Sequence, residues 1–290
     1  MRPRPVTGFA AAFAAGCALA AGAAGAADAP RHAQERTIAP FSRLLLKGAA
    51  DVHFRVGRER RAVVRGEDAR AVRETSLAVD GGRLVITGPE GRCRREIGVE
   101  FCRTPRVVVE VTAPAPEAVT IAGAGDVTLE DLSGSDLKVV LEGAGDMRLS
   151  GRCGRLAVEL EGAGDVDARE LACRELAARL TGAGDLRARA APRIAVTLAG
   201  AGDAEITGRC KQAEITVRGA GDVEGGLVCR KARVTASGPG DVTLTVTDEL
   251  AVTHNGPGDV RIHGHPTLLE VNAGGPGRFK LDSRPASSGS

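Results

Sequence analysis

Four residues, Gly-Ala-Gly-Asp, return along this chain at a nearly constant interval. They stand at Gly123–Asp126, Gly143–Asp146, Gly162–Asp165, Gly182–Asp185, Gly200–Asp203 and Gly219–Asp222. Two more copies, Gly238–Asp241 and Gly256–Asp259, carry Pro in place of Ala, and a ninth ends in Arg278. Successive Asp residues lie 20, 19, 20, 18, 19, 19 and 18 positions apart. A period of this size marks a solenoid, whose units bury their apolar faces only by stacking on one another.

The residues between the corners give the units their type. Around Gly162, Leu156, Val158 and Leu160 alternate before the corner, and Val166 and Ala168 alternate after it. The unit before has Leu137, Val139, Leu141, then Met147 and Leu149; a later one has Ile194, Val196, Leu198, then Ala204 and Ile206. Period-two alternation in short runs predicts strands with one buried face. The expected fold is all-β, a parallel β-helix (β-solenoid) of about 19 residues per rung, with a less regular β section at its N-terminal end. Residues 119–282 form the regular part. Residues 41–118 form the irregular section, including a degenerate first rung at Gly48-Ala49-Ala50-Asp51. Its strand-like runs are Ala62–Arg65, Leu77–Val79, Leu84–Thr87 and Val107–Thr112, with a hairpin turn at Gly81-Gly82. This section is placed to cap one end of the stack. Residues 28–40 read as a loose lead-in and 283–290 as a flexible polar tail.

Residues 1–27 read as an export signal: Arg2 and Arg4, an Ala-rich apolar run from Val6 to Leu19, then small residues suited to cleavage near Ala27. A lipid anchor at Cys17 is the alternative, although Ala14-Ala15-Gly16-Cys17 lacks the usual Leu before the Cys. No transmembrane span follows. Without Arg2 and Arg4 the charges balance, so nothing points to nucleic acid as a partner. Trp and Tyr are absent, which argues against aromatic platforms for sugar rings or single strands. Six of the seven Cys follow the signal, and four keep step with the repeat. In an exported chain this predicts disulfides Cys153–Cys173 and Cys210–Cys229 between adjacent rungs, with Cys93–Cys102 closing a local loop. Buried free thiols are the alternative; zinc is disfavoured because no CxxC spacing or nearby His completes a site.

The repeated Asp (Asp126, Asp146, Asp165, Asp185, Asp203, Asp222, Asp241, Asp259) is the one conspicuous polar column. Stacked about 4.8 Å apart, neighbouring carboxylates repel by roughly 1 kcal/mol per pair in water. A structural turn ladder, in which each Asp accepts from its own turn's backbone N–H, offsets that repulsion. The sharper alternative is calcium held between rungs, but one Asp per rung supplies few ligands for that ion. His254, His263 and His265 lie close in sequence and read as solvated surface residues rather than a metal site. Asp165 with Asp167 could pass for the acid pair of a polysaccharide-cleaving β-helix. A uniform ladder, however, is not a local catalytic constellation, so no catalytic residue and no cofactor are assigned.

The run Phe41-x-x-Leu44-x-Leu46-x-Gly48-x-x-Asp51-Val52, the strand Val107–Thr112, and Val119-x-Ile121-x-Gly123-Ala124-Gly125-Asp126-Val127 resemble the bacterial putative auto-transporter adhesin, head GIN domain family. The resemblance covers residues 38–282. It implies an exported right-handed parallel β-helix without catalytic residues, acting at the periplasm, cell envelope or outside the cell as an adhesin-like binding or scaffold module. The implied partner is a protein or glycan at the cell surface. The eight residues after the repeats are too few for a translocating barrel, and the Cys columns depart from the family pattern. A carbohydrate-active enzyme on the same scaffold and a calcium-stabilised repeat protein are the competing functions.

Overall fold

A computed structural model describes residues 32–96, 99–134 and 136–282. The export segment 1–27 with Cys17, and the tail 283–290, lie outside the described residues. Described in chain order, the first section contains β1 (His32–Thr37), β2 (Arg43–Lys47), β3 (Asp51–Val56), β4 (Arg61–Gly66), α1 (Ala69–Glu74), β5 (Ser76–Asp80) and β6 (Arg83–Thr87). A hairpin of β7 (Arg92–Glu96) and β8 (Val99–Arg103) follows, and then β9 (Val107–Ala113). From Ala118 onward the described chain is strand, broken at every Gly-x-Gly-Asp corner and in some rungs at a second turn.

The rungs stack into two walls that meet at the Gly-x-Gly-Asp corner. The wall before the corner runs from β6 and β2 through Ala118–Ile121 and Leu137–Leu141 as far as Leu268–Ala273, all parallel. The wall after it runs from β9 and β3 through Val127–Ser133 as far as Phe279–Asp282, again parallel. Register follows the repeat, so Leu137, Val139 and Leu141 sit beside Leu156, Val158 and Leu160. Like lies on like. The inward positions are buried in rung after rung, giving a filled core of Leu, Val, Ile and Ala. Each fully buried Leu or Val contributes on the order of 1.5–3 kcal/mol against chain entropy.

At the N-terminal end the chain departs from the repeat to close the stack. β2 and β3 form the first rung, and the excursion through residues 57–117 adds β6 and β9 outside it before the regular rungs begin. Antiparallel β5 then covers the edge of β6, β4 covers β9, and β1 pairs antiparallel with β4. The Gly81-Gly82 turn joins β5 to β6 with both glycines at positive φ, +53° and +72°. Two features differ from the sequence expectation. His32–Thr37 was expected within a loose lead-in, but its backbone finds a partner in β4, 24 residues on from Thr37 at its nearest pairing. α1 was not anticipated; its N–H groups are capped by Asp68, whose carboxylate accepts from the Ala71 N–H at 2.7 Å. Arg36 of β1 donates to the Val72 and Thr75 carbonyls at the other end of the helix.

Candidate functional site

The corner column is the most ordered polar feature of the molecule. A Cβ added at Gly143 or Gly145 would run into the carbonyl oxygen of Gly123 or Gly125 in the rung before, and the same holds at the later corners. Close stacking of backbone on backbone, rather than positive φ, is therefore what these glycines provide. The middle Ala donates its N–H to the first Gly carbonyl of the preceding corner, as Ala144 does to Gly123 at 2.9 Å. Where Pro239 and Pro257 remove that donor, the next residue takes over: Gly240 donates to Gly219 and Gly258 to Gly238.

The carboxylates are not satisfied within their own turns, as the sequence suggested. Oδ1 of Asp126 accepts from the backbone N–H of Asp146 at 2.9 Å, one rung on, and Asp146 accepts from Asp165 at 2.9 Å. The relay continues through Asp185, Asp203, Asp222, Asp241 and Asp259. In the other direction the residue after each Asp donates to the next Asp carbonyl, Val127 to Asp146 and Met147 to Asp165, both at 2.8 Å. Each side-chain oxygen thus stands where a neighbouring strand's carbonyl would stand in a regular ladder. The column is longer than the repeat motif announces. Asp51 accepts from the Asp126 N–H at 3.3 Å, and Asp259 from the Arg278 N–H at 3.1 Å. Asp51 could have been found from Gly48-Ala49-Ala50-Asp51, once a sequence separation of 75 from Asp126 was allowed.

The second oxygens are partly neutralised from the adjacent wall. Arg187 reaches Oδ2 of Asp165 at 3.0 Å and of Asp185 at 3.2 Å; Arg261 does the same for Asp241 at 3.4 Å and Asp259 at 2.9 Å. The Arg278 backbone N–H, with its guanidinium behind it, holds the Asp259 carboxyl below its ordinary value. With Oδ1 committed to a backbone donor, each rung offers a cation one oxygen, against the six to eight ligands calcium takes. The donor set does not fit that ion.

The remaining candidates separate cleanly. Cys153 and Cys173 are register partners joined as a disulfide with Cα atoms 4.5 Å apart, and Cys210 and Cys229 are joined likewise at 4.6 Å. Cys93 and Cys102 face each other in the β7–β8 hairpin and are bonded. Glu100 lies beside that pair, but its thiols are consumed. His254 is a correction: it is fully buried, not solvated. Its position is inward by strand parity, and Ala236 and Ala273 on either side leave room for the ring. Its Nε2 lies 2.7 Å from the Gly258 carbonyl oxygen, and its Nδ1 has no hydrogen-bond partner among the described residues. His263 is half-buried on the outward side of the wall after the corner and His265 is exposed, whereas His254 points inward from the wall before the corner. Asp167 lines a shallow groove of about 660 Å³ with Thr128, Glu130, Arg148, Ser150 and Arg169. Arg169 grips its two oxygens at 3.0 and 2.6 Å and holds the carboxyl below the usual range, which suits an ion pair and not a general acid.

One column was not singled out from the sequence. On the outer face of the wall before the corner, Thr197, Thr216, Thr235 and Thr253 are consecutive register partners, followed by Asn272. Their spacing of 19, 19 and 18 residues was the available signal.

With stack, corner and core in place, the chain can be compared with known proteins. Its sequence matches the family described as putative auto-transporter adhesin, head GIN domain, over residues 40–209 and 190–266. The chain belongs to this head GIN domain family. No curated protein matches it. Among solved structures, a putative lipid binding protein from Parabacteroides distasonis superposes with a TM-score of 0.61 at 17% identity, covering 86% of this chain and 96% of that one. A putative adhesin from the same species gives 0.60 at 15% identity with the same coverage. Another from Parabacteroides merdae gives 0.51 at 15%, covering 86% and 95%. At these identities the head GIN domain shares its fold with them and nothing finer follows. Among the described residues no helix is long and apolar enough to cross a membrane.

Proposed function

We propose that the protein is an exported, non-catalytic binding module of the cell envelope, which presents the wall before the corner to an extended partner, a protein or a glycan chain. The observation that carries this reading is the rank of Thr197, Thr216, Thr235 and Thr253, repeated once per rung on the outer face of a parallel sheet. A surface that repeats about every 4.8 Å meets a partner with its own linear repeat, or one laid along several rungs, better than a compact small molecule. Membership of a family described as adhesin heads supports a binding role. Three disulfides support an oxidising compartment. The Asp column serves the scaffold, because one oxygen of each carboxylate is engaged by the backbone of the neighbouring rung.

The test is binding of the secreted protein to a glycan array and to envelope extract, with and without a chelator. Binding that survives chelation and falls at least tenfold on combining Thr216→Lys with Thr235→Lys, while the melting temperature holds, supports the reading. Binding unchanged in that variant removes the Thr face from the account. Turnover of any bound polysaccharide would replace a binding module with an enzyme.

A further inference from the structure

The two ends of the solenoid are finished differently. At the N-terminal end β1, α1 and β5 close over the core, and the outermost strand, β1, is polar apart from Ala33. Polar and charged edges of this kind discourage further strand addition. At the other end the last described rung presents the positions that every earlier rung buries. Leu269 is 47% exposed, whereas Leu250, its register partner, is 2% exposed; Val271 is 38% exposed against 3% for Val252. On the second wall Leu281 is 38% exposed, while its partner Ile262 is fully buried. Phe279 is half-buried beside them. Among the described residues neither Leu268–Ala273 nor Phe279–Asp282 pairs with a strand on its outer side.

We propose that this end is completed by the same end of a second copy, in a two-fold dimer joined through reciprocal antiparallel strand pairing. The sequence of the rung is self-complementary for that arrangement. With the dyad at Gly275 in the corner, Leu268–Ala273 of one chain lies against Phe279–Asp282 of the other. Val271 then meets the partner's Phe279, and Leu269 meets the partner's Leu281. Both pairs face inward, so each core continues into the other. Between them Glu270 meets the partner's Lys280 on the outer face, twice by symmetry. Like charges are not opposed at any of these pairings, and among the described residues of its own chain Lys280 pairs with Asp282, at 3.0 Å. Antiparallel pairing is required, because a two-fold axis across the stack reverses the direction of winding. Sealing the apolar end is the driving force, and the Glu–Lys pairs set the register.

The experiment is sedimentation equilibrium on the full secreted chain and on charge variants at the two exposed positions. Wild type is expected to be dimeric. Glu270→Lys alone and Lys280→Glu alone each place like charges across the dyad and should weaken the dimer by about tenfold or more. The double exchange, Glu270→Lys with Lys280→Glu, restores the pairing and should restore the dimer. Circular dichroism of each variant confirms that the fold is intact. A wild-type monomer, or a dimer insensitive to both single changes, overturns the proposal. So does a monomer that dimerises only after residues 283–290 are removed, which would assign the cover to that segment. None of these outcomes depends on which partner binds the Thr face, since the readout is association of the chain with itself.

Discussion

The regular rungs and the N-terminal section contain the same kinds of residue and use them by different rules. At the corners of the rungs a glycine is there for its missing Cβ: at Gly164 a side chain would strike the Gly145 carbonyl, and the stack leaves that carbonyl nowhere to go. In the N-terminal section Gly81 has nothing within 4 Å of an added Cβ and is there for its φ of +53°. One is a constraint between distant segments, the other a local preference of the chain. Repetition converts a local motif into a long-range contact, since the residue 19 places on is the neighbour in space. The irregular section has no such conversion and must specify each contact separately.

That contrast predicts the largest difference in mutational cost. Gly164→Ala should destabilise the protein by about 3 kcal/mol or more, because the backbone on both sides is pinned by neighbouring corners. Gly81→Ala should cost only about 1–2 kcal/mol, the strain of a left-handed residue. Chemical denaturation of the two variants gives the comparison directly. Equal costs would mean that the corners are looser than their stacking indicates.

The disulfides sharpen it further. Cys153–Cys173 spans 20 residues and ties two rungs of the main stack, so replacing both with Ala should cost about 3 kcal/mol. Cys93–Cys102 lies in a hairpin that forms its own two-stranded sheet. Its removal should leave the main unfolding transition in place and increase protease cutting between β7 and β8. A common loss of melting temperature in both double variants would show the hairpin to be part of the cooperative unit.

How much of this was legible follows the same division. The strand positions, the rung length and the register of Cys153 with Cys173 could be read because alternation and period are properties of short windows. The pairing of His32–Thr37 with β4, and the helix between β4 and β5, depend on partners that no local pattern announces. The Asp column was visible as a list of residues, but its bonding was not. A local rule assigns each carboxylate to its own turn, and the donor lies 18–20 residues away. His254 escaped for a related reason. Its polarity argued for the surface, while the parity of its strand and the two flanking Ala placed it inside.

The carboxylates allow a matched pair of substitutions. Asp165→Ala removes the acceptor of the Asp185 N–H and one partner of Arg187, at an expected cost of about 1–2 kcal/mol. Asp165→Asn keeps an oxygen facing that N–H and should cost less than half as much. In the N-terminal section Asp68→Ala removes the α1 cap and should cost about 1 kcal/mol. The two regions then differ in how the losses combine. Asp146→Ala added to Asp165→Ala acts on consecutive links of one relay and should deviate from additivity, whereas Asp68→Ala with Asp165→Ala should add simply.

The smallest effect expected is that of acid, and it again reaches the two regions through different groups. In the rungs the Arg278 N–H and guanidinium lower the Asp259 carboxyl; in the N-terminal section the Ala71 N–H lowers Asp68, and Arg92 and then Arg70 lower Glu74. A carboxyl depressed in the folded state binds its proton more readily in the unfolded chain, so it adds stability above its ordinary value and loses it as pH falls through the depressed one. For Asp259 the ordinary value is 3.8, so the contribution is intact at pH 5 and declines below about 4. Asp259 and Asp68 are half-buried and Glu74 is exposed, none of them lies in the core, and the effect is therefore modest and screened by salt. Thermal melts at pH 5 and pH 3 should therefore show a loss that is smaller in Asp259→Asn and smaller again when Glu74→Gln is added. If Asp259→Asn leaves the acid loss unchanged while Glu74→Gln removes most of it, acid sensitivity belongs to the N-terminal section. The relay would then end at Asp259 without drawing stability from its charge.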